Sequence, residues 1–325
     1  MPAMYEDERR VASAAVKQAA SLCRSARAGG FEKQDRSPVT VADFGSQALI
    51  CRALLDAFPD DPVIAEEDSA TLRKAADPDI LGRVVRHVQA IWPGADADAV
   101  CHWIDRGGER HYVDRFWALD PIDGTKGFLR GQQYAIALAL IVNGQVMVAA
   151  LGCPNLPMRD DAASPVGVIF TAVSGQGAMV EPLDSEEPAV TVHVNDTTDP
   201  SAARFCESVE VGHSSHANAA AVARHLGVVA EPYHMDSQCK YAIVARGSAD
   251  IYLRLPTRAD YIERIWDHAA GSLVVSEAGG TVSDAAGNPL DFTCGSGLDK
   301  NRGVIVTNAR LHQRVLEALR AVGVA

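Results

Sequence analysis

The sequence lacks the features of a protein built for an oxidising compartment. Its 325 residues contain seven cysteines at irregular spacings, an odd number that forms no disulfide framework. The first ten residues carry five charged side chains and no apolar stretch of the kind a signal peptide needs. We therefore expect a cytoplasmic location, where thiols stay reduced.

No stretch of the sequence is long and apolar enough to suggest a membrane span. The most hydrophobic segment, residues 135–151, is interrupted by Asn143-Gly144, a pair typical of two-residue hairpin turns. This segment is expected to form two strands, so no membrane partner is predicted.

Positive charge is also scarce. The chain has 30 Lys and Arg against 42 Asp and Glu, which gives a formal net charge of −12. Proteins that bind nucleic acid polymers by neutralising phosphates normally carry the opposite sign. A small anionic substrate remains compatible with this charge, because bound cations can invert the local field.

Two carboxylates follow a short apolar run, Phe116 to Leu119, that is typical of a buried strand. Pro121 removes a backbone donor, so the strand is expected to end there, and the glycine after Asp123 permits a tight turn. Asp120, Asp123 and the carbonyl of Ile122 can then converge on one point. Such hard oxygen ligands suit Mg²⁺. The alternative is an ordinary surface turn, which Asp-Pro and Asp-Gly pairs also favour.

Three further acidic positions lie beside predicted element ends: Asp43 at a helix start, Glu66 with Glu67 after a strand, and Asp267. Each has a purely structural alternative. Asp43 can complete a capping box with Thr40, the glutamates can be a solvated charge run, and Asp267 can favour a helix first turn. Taken together, the positions suggest a multi-carboxylate magnesium site.

The pattern of elements predicts two layered domains. Residues 1–190 form an α+β domain that carries most of the metal ligands, with an exposed insertion at about 70–112 that holds one helix, 80–91. Residues 191–325 form an α/β domain that carries Asp267 and the substrate contacts. The other predicted helices are 7–28, 44–58, 214–226, 239–246, 265–278 and 311–322, and the predicted strands are 63–65, 116–119, 134–142, 145–151, 166–173, 189–194, 205–209, 250–255 and 304–306.

Residues 120–131, with the preceding Phe116-Trp117, resemble the metal-binding motif of the inositol monophosphatase superfamily of Mg²⁺-dependent, lithium-sensitive phosphatases. The continuation Lys126 to Gly131 is similar to the 3′(2′),5′-bisphosphate nucleotidase branch of that superfamily. The resemblance extends in family order over nearly the whole chain. It is carried also by the segments 37–43, 212–216, 236–241, 252–256 and 265–271.

The resemblance implies a layered αβαβα fold with the active site between two halves. It implies that two or three Mg²⁺ ions are held by Glu66, Asp120, Asp123, Asp267 and the Ile122 carbonyl, with Glu67 nearby. Asp43 and Thr125 would orient and deprotonate the attacking water. The remaining implied roles are contacts to the nucleotide and its second phosphate, assigned to Thr125, His213, Ser237, Lys240, Arg254 and Asp267.

The activity implied is hydrolysis of the phosphomonoester of adenosine 3′,5′-bisphosphate to give AMP and phosphate, with the sulfated form as a further substrate. Phosphate monoesters hydrolyse very slowly unaided, so clustered Mg²⁺ ions that activate water fit the residue types. One alternative is an inositol phosphate or sugar bisphosphate phosphatase of the same superfamily. Another is a non-catalytic regulator that binds nucleotide or metal. The sequence does not predict an oligomeric state.

Overall fold

The computed structural model describes residues 4–28, 40–74, 79–161, 164–185, 187–209, 215–258 and 260–324. The helices are α1 Glu6–Ala28, α2 Val41–Ala57, α3 Ser69–Arg73, α4 Ile80–Gln89, α5 Ala97–Asp105, α6 Thr125–Arg130, α7 His216–Leu226, α8 Cys239–Ala245, α9 Ala269–Glu277 and α10 His312–Ala321. The strands are β1 Val63–Ala65, β2 Arg115–Asp123, β3 Ala135–Val142, β4 Gln145–Pro157, β5 Val166–Val173, β6 Ala178–Pro182, β7 Val190–Val192, β8 Phe205–Glu207, β9 Tyr233–His234, β10 Ile251–Arg254, β11 Thr281–Ser283 and β12 Val304–Thr307. Short 3₁₀ turns span Pro200–Ala202 and Ile265–Asp267.

Strands β1 to β7 form one sheet in sequence order. Strand β1 pairs with β2 in parallel, and every later neighbour pair is antiparallel. Side chains alternate between its two faces. Trp117 and Leu119 pack in the core shared with α1 and α2, whereas Phe116 and Ala118 belong to the core on the opposite face.

Strands β8 to β12 form the second sheet in the order β11-β12-β10-β8-β9. Its two faces also separate by alternation. Tyr252 and Val306 pack toward α8 and α9, whereas Leu253 and Ile305 pack in a third core with α7 and α10.

The three cores define five layers: α1 and α2, the first sheet, α8 and α9, the second sheet, and α7 with α10. The predicted αβαβα fold is therefore confirmed. The division into domains at residue 190 stays a prediction, although the first sheet ends at Val192 and the second begins at Phe205.

Strand β2 is longer than the sequence indicated. It was expected to end before Pro121, but it continues to Asp123. Its pairing with β3 shifts register between Asp120 and Asp123, so the segment containing Pro121 lies in an irregular stretch of the ladder. Such an irregularity accommodates a residue without a backbone donor and redirects the neighbouring side chains.

The prediction of an exposed insertion with one helix at 70–112 is wrong for the residues that the structure describes. Helices α4 and α5, with most of α3, lie in this segment, and Val84, Val88, Val100 and Ile104 are buried. Helices α4 and α5 pack on α2 and so extend the first core. The Pro-Gly pair at 93–94 separates α4 from α5, and the Gly-Gly pair at 107–108 follows the end of α5. The Asp-Pro pair at 77–78 lies outside the described residues.

Most other predicted elements are confirmed in type, with ends shifted by a few residues. The predicted helix 214–226 appears as α7 from His216, while residue 214 lies outside the described residues. The predicted helix 265–278 starts instead as a 3₁₀ turn, and α9 begins at Ala269. Among the helices described, none has the length and apolar character needed to cross a membrane.

Candidate active site

The parallel pairing of β1 and β2 brings the predicted carboxylates to one edge of the first sheet. Ala65 lies opposite Leu119, so Glu66, which follows β1, and Asp120, which lies within β2, are at the same level. The Asp267 side chain enters the same cleft from the second half of the chain. The cleft has a volume of about 340 Å³. Its walls include the predicted residues Glu66, Glu67, Asp120, Ile122, Asp123, Thr125, Ser237, Lys240, Arg254 and Asp267.

Two turns meet tightly at the floor of this cleft. Gly124 has φ 84°, and a Cβ there would lie 2.9 Å from the Cβ of Ser237. Ser237 itself has φ 68°, in the left-handed region that a non-glycine residue rarely adopts. The backbone N–H of Gln238 donates to Asp123 Oδ2 at 2.5 Å. The turn after β2 and the turn before α8 are thus held in direct contact.

Asp43 lies at the start of α2, beside the cleft residue Thr125, and is 1% exposed. Its Oδ2 accepts hydrogen bonds from the backbone N–H and the hydroxyl of Thr40, which completes a capping box. Its Oδ1 lies 3.3 Å from the hydroxyl of Thr125, which is also 3.2 Å from the Ile122 carbonyl. The capping contacts therefore use one oxygen of the Asp43 carboxylate, and the contact with Thr125 uses the other.

Helix α2 also fixes the backbone of the carboxylate-bearing loops. Ser46 donates its hydroxyl to the Pro121 carbonyl at 2.9 Å. Gln47 donates to the Glu67 carbonyl at 2.7 Å and accepts from the Glu67 N–H at 3.0 Å. These side chains are completely buried, so they anchor the loops after β1 and β2 to one rigid helix.

The carboxylates disturb one another strongly. Burial and then the charges of neighbouring carboxylates raise the pKa of Asp120 and of Glu66 well above their ordinary values. The same causes raise the pKa of Asp267 to about 6 and that of Glu67 to about 8. Burial raises the pKa of Asp43 to about 6 despite its hydrogen bonds to Thr40. Such crowded acids gather negative charge that a bound cation would neutralise.

The same cleft also contains two cationic side chains. Lys240 is 3% exposed, and burial lowers its pKa. Its ammonium lies 5.2 Å from the ring of Tyr252 and 3.3 Å from the Met235 carbonyl. Arg254 lies close by, with its Nε 3.1 Å from a carboxylate oxygen of Glu263. One cleft therefore offers both acidic groups that can hold a cation and buried donors for an anion.

The structure brings together every predicted site residue that it describes, with Asp43 reaching the cleft through Thr125. His213 lies outside the described residues.

The cleft is also lined by eight residues that were not assigned a role from the sequence: Gly124, Lys126, Gly127, Asp236, Gln238, Tyr252, Tyr261 and His268. Asp236 and Gln238 flank Ser237 in a segment already singled out, and Tyr252 comes two before Arg254, so proximity could have suggested them. Tyr261 had no such signal.

Gln238 joins the two halves of the site. It donates from its side chain to the Trp266 carbonyl at 2.9 Å and accepts from the Gly271 N–H at 3.1 Å. Since its own backbone N–H reaches Asp123, this one residue connects the turn after β2 with the segment that carries Asp267.

Comparison with known proteins agrees with this geometry. The family model described as the inositol monophosphatase family matches residues 4–323. The chain is 44% identical to the 3′(2′),5′-bisphosphate nucleotidase of Schizosaccharomyces pombe, over 98% of this chain and 96% of that protein. It is 43% identical to the 3′(2′),5′-bisphosphate nucleotidase of Oryza sativa, over 97% of this chain and 94% of that protein.

Solved structures show the same fold at lower identity. The inositol monophosphatase of Anabaena (Nostoc) sp. PCC 7120 aligns with a TM-score of 0.62 at 20% identity, covering 97% of this chain and 96% of that one. Mycobacterium tuberculosis SuhB aligns with a TM-score of 0.64 at 21% identity, covering 98% and 97%. The chain belongs to the inositol monophosphatase family.

Proposed function

We propose that the protein is a Mg²⁺-dependent phosphomonoesterase that hydrolyses adenosine 3′,5′-bisphosphate to AMP and phosphate, and that it also accepts the sulfated nucleotide. The observation that carries the proposal is a single cleft that holds both a cluster of carboxylates and the cationic side chains of Lys240 and Arg254. The relatives named 3′(2′),5′-bisphosphate nucleotidase, at 38–44% identity over nearly the full chain, support the choice of substrate.

Phosphatases of this family are generally metal-dependent. The donor set here fits two or three Mg²⁺ ions, because it offers hard oxygens whose raised pKa values reflect uncompensated negative charge. Residues that would hold the ions are Glu66, Asp120, Asp123, Asp267 and the carbonyl of Ile122. Bound Mg²⁺ would supply charge neutralisation and a more acidic water. Glu67, whose backbone Gln47 holds, would support this set from the side.

Asp43 and Thr125 would move the proton of the attacking water. The Thr125 oxygen accepts a proton from water as its own proton passes to Asp43 Oδ1, 3.3 Å away. The pKa of Asp43, raised to about 6, suits this task, since a general base works best with a pKa near the operating pH.

Substrate contacts would come from Lys240, Arg254 and neighbouring residues of the cleft. Arg254 gives forked hydrogen bonds to a phosphate, and Lys240 gives a point charge. Ser237, Thr125 and Asp267 line the same cleft and would contact the rest of the substrate. His213 is proposed for the nucleotide from its position in the sequence alone.

The test is phosphate release from adenosine 3′,5′-bisphosphate with Mg²⁺, beside inositol 1-phosphate and fructose 1,6-bisphosphate, each with and without lithium. We expect the nucleotide to be preferred and its hydrolysis to be suppressed by lithium. The Asp123→Asn change should lower kcat/KM by roughly 100-fold or more, because even indirect partners of a metal site cost up to that much. Asp98→Asn, an exposed change on α5, is the matched control and should leave the rate unaltered.

Two outcomes would contradict the proposal. Preference for inositol 1-phosphate or fructose 1,6-bisphosphate would keep the metal site but remove the roles given to Lys240 and Arg254. Tight nucleotide binding without phosphate release would indicate a regulator that lacks catalysis.

We also propose a cytoplasmic location. All seven cysteines are free thiols and six of them are buried, an arrangement that suits a reducing compartment.

A further inference from the structure

A buried chain of hydrogen bonds leads from the middle layer of the fold to Arg254 in the cleft. The hydroxyl of Tyr241 lies 2.7 Å from Nδ1 of His268, and Nε2 of His268 lies 3.2 Å from Oε2 of Glu263. The other oxygen of Glu263 is 3.1 Å from Nε of Arg254. Tyr241 and His268 are each 1% exposed and Glu263 is 4% exposed.

The chemistry of the groups fixes the direction of the bond between His268 and Glu263. A carboxylate only accepts, so Nε2 of His268 carries the proton that points to Glu263. Nδ1 faces the Tyr241 hydroxyl, which can either donate or accept. Both oxygens of Glu263 are thereby occupied, one by His268 and one by Arg254.

The surrounding backbone holds this chain in one place. A Cβ at Gly271 would come within 2.4 Å of the Tyr241 ring, so the glycine lets the ring lie directly against α9. Tyr252 packs edge-on against the same ring at 5.3 Å. The Glu263 carbonyl accepts from the Leu298 N–H at 2.9 Å, which fixes the segment that carries the carboxylate.

Glu263, Asp267 and His268 also present atoms within 4.8 Å of one another, a spacing that a metal ion could bridge. The hydrogen bonds argue for a different role. Both oxygens of Glu263 and both ring nitrogens of His268 already have protein partners, so a metal there would have to break the chain.

We propose that Glu263 is a positioning residue that makes the cleft selective for substrates with a second phosphate group, because it orients the guanidinium of Arg254. This rests on the proposed function, in which Arg254 contacts that phosphate. A long arginine side chain loses rotamer freedom when it binds. Holding it at Nε removes part of that loss beforehand without using the terminal nitrogens, which carry most of its donors. Nη2 also lies 3.5 Å from the Tyr261 hydroxyl, so the guanidinium has a second protein contact.

The test compares Glu263→Gln with the unaltered protein on two substrates, adenosine 3′,5′-bisphosphate and 3′-AMP, which lacks the second phosphate. We expect KM for the bisphosphate to rise roughly tenfold or more, as when a partner that orients a binding group is removed. The kcat for the bisphosphate and both constants for 3′-AMP should change little. Glu181→Gln removes a charge from a partly buried ion pair with Lys17, far along the chain, and is the matched control.

A double-mutant comparison shows whether Glu263 acts through Arg254. In an Arg254→Met background, Glu263→Gln should have no further effect on KM. Tyr241→Phe leaves both charges paired and removes only the far end of the chain, so it should raise the same KM by a smaller factor. It also provides a second variant if thermal unfolding shows that Glu263→Gln does not fold.

Equal losses on both substrates, or a full Glu263→Gln effect without Arg254, would overturn the positioning role. Failure of the proposed function looks different, since the unaltered protein would then release no phosphate from the bisphosphate. In that case the same comparison is made by calorimetric binding of the two nucleotides. An unaltered preference for the bisphosphate in Glu263→Gln, or no binding by any variant, would overturn the inference.

Discussion

Single residues in this protein often serve two neighbours at once, and Asp43 is an example. One oxygen closes the capping box of α2, and the other faces Thr125 in the cleft. From the sequence alone, helix capping and catalysis are alternative explanations for Asp43. Because a carboxylate has two oxygens, the end of a buried helix can both stabilise the fold and orient a reacting group.

Protonation of His312 should change the free energy of unfolding. It bridges Thr307, 3.0 Å from Nδ1, and Ser283, 2.9 Å from Nε2. The Ser283 hydroxyl donates to the Asp284 carbonyl, so its oxygen accepts from Nε2 and the ring is held neutral. Burial lowers the pKa of His312 below its ordinary value.

We therefore expect His312 to make folding pH-dependent. The unfolded chain binds this proton more readily than the folded chain, so the free energy of unfolding falls as the pH drops below about 6.5. Urea unfolding at about pH 7.5 and pH 5.5 in saturating Mg²⁺, which keeps the cleft carboxylates ionised, measures that loss, which His312→Gln should reduce. His225→Gln, an exposed change on α7, should leave the loss unaltered, and an equal loss in the protein and His312→Gln would contradict the assignment.

At the scale of elements, the amphipathic helices and the apolar strands were predictable, and several short helices were not. Continuous apolar runs identify β2 and β3, because each face of the first sheet is buried against a different helical layer. Helix α6 has only six residues, too few for a periodic pattern to show. Helix α4 was predicted as residues 80–91, whereas α3 and α5 were missed because each has fewer than ten residues.

The candidate site divides in the same way. Acidic residues at strand ends could be predicted, since parallel strands deliver them to one edge. The contact of the Gly124 turn with Ser237 joins positions more than a hundred residues apart, and no local pattern contains it. The network of Glu263, His268 and Tyr241 depends likewise on how α8 and α9 pack, which only the tertiary structure reveals.

Asp61 connects the end of α2 to strand β2. Its carboxylate accepts from Nε1 of Trp117 at 3.0 Å and from Nε of Arg115 at 2.8 Å. Asp61→Ala would leave the buried indole N–H unpaired, so we expect the free energy of unfolding to fall by about 2–4 kcal/mol. The neighbouring Asp60 is exposed, and Asp60→Ala should change it by less than about 0.5 kcal/mol in the same urea titration. Similar effects of the two changes would show that this contact does not stabilise β2.

The whole molecule carries an excess of negative charge, and several of its carboxyl groups are concentrated in the cleft. It has a formal net charge of −12, and the cleft gathers carboxyl groups whose pKa values are raised by burial and by one another. A carboxyl group with a raised pKa binds its proton more readily in the folded chain. It therefore destabilises the fold at high pH, and the fold gains stability as the pH falls through the raised pKa.

We expect this charge to make stability depend on a divalent cation. In a chelator, we expect the free energy of unfolding to rise as the pH is lowered from about 8.5 to 6.5, the range in which Glu67, Asp43 and Asp267 begin to bind protons. Saturating Mg²⁺ should add about 2.7 kcal/mol at a hundred times its dissociation constant. It should also flatten the pH dependence, because a bound cation keeps the carboxylates ionised.

Asp120→Asn separates this explanation from general charge screening. It removes one buried charge from the cluster, so in the chelator it should leave the protein at least as stable as the unaltered chain at about pH 8 and reduce the pH dependence. In Mg²⁺ the same change should remove most of the stabilisation, whereas Asp98→Asn on the surface should behave like the unaltered chain. Equal stabilisation of all three proteins by Mg²⁺ would mean that the cation acts on the net charge and not at the cleft. Thermal unfolding with and without Mg²⁺ thus tests whether the cluster that would hold the ions also limits the stability of the whole fold.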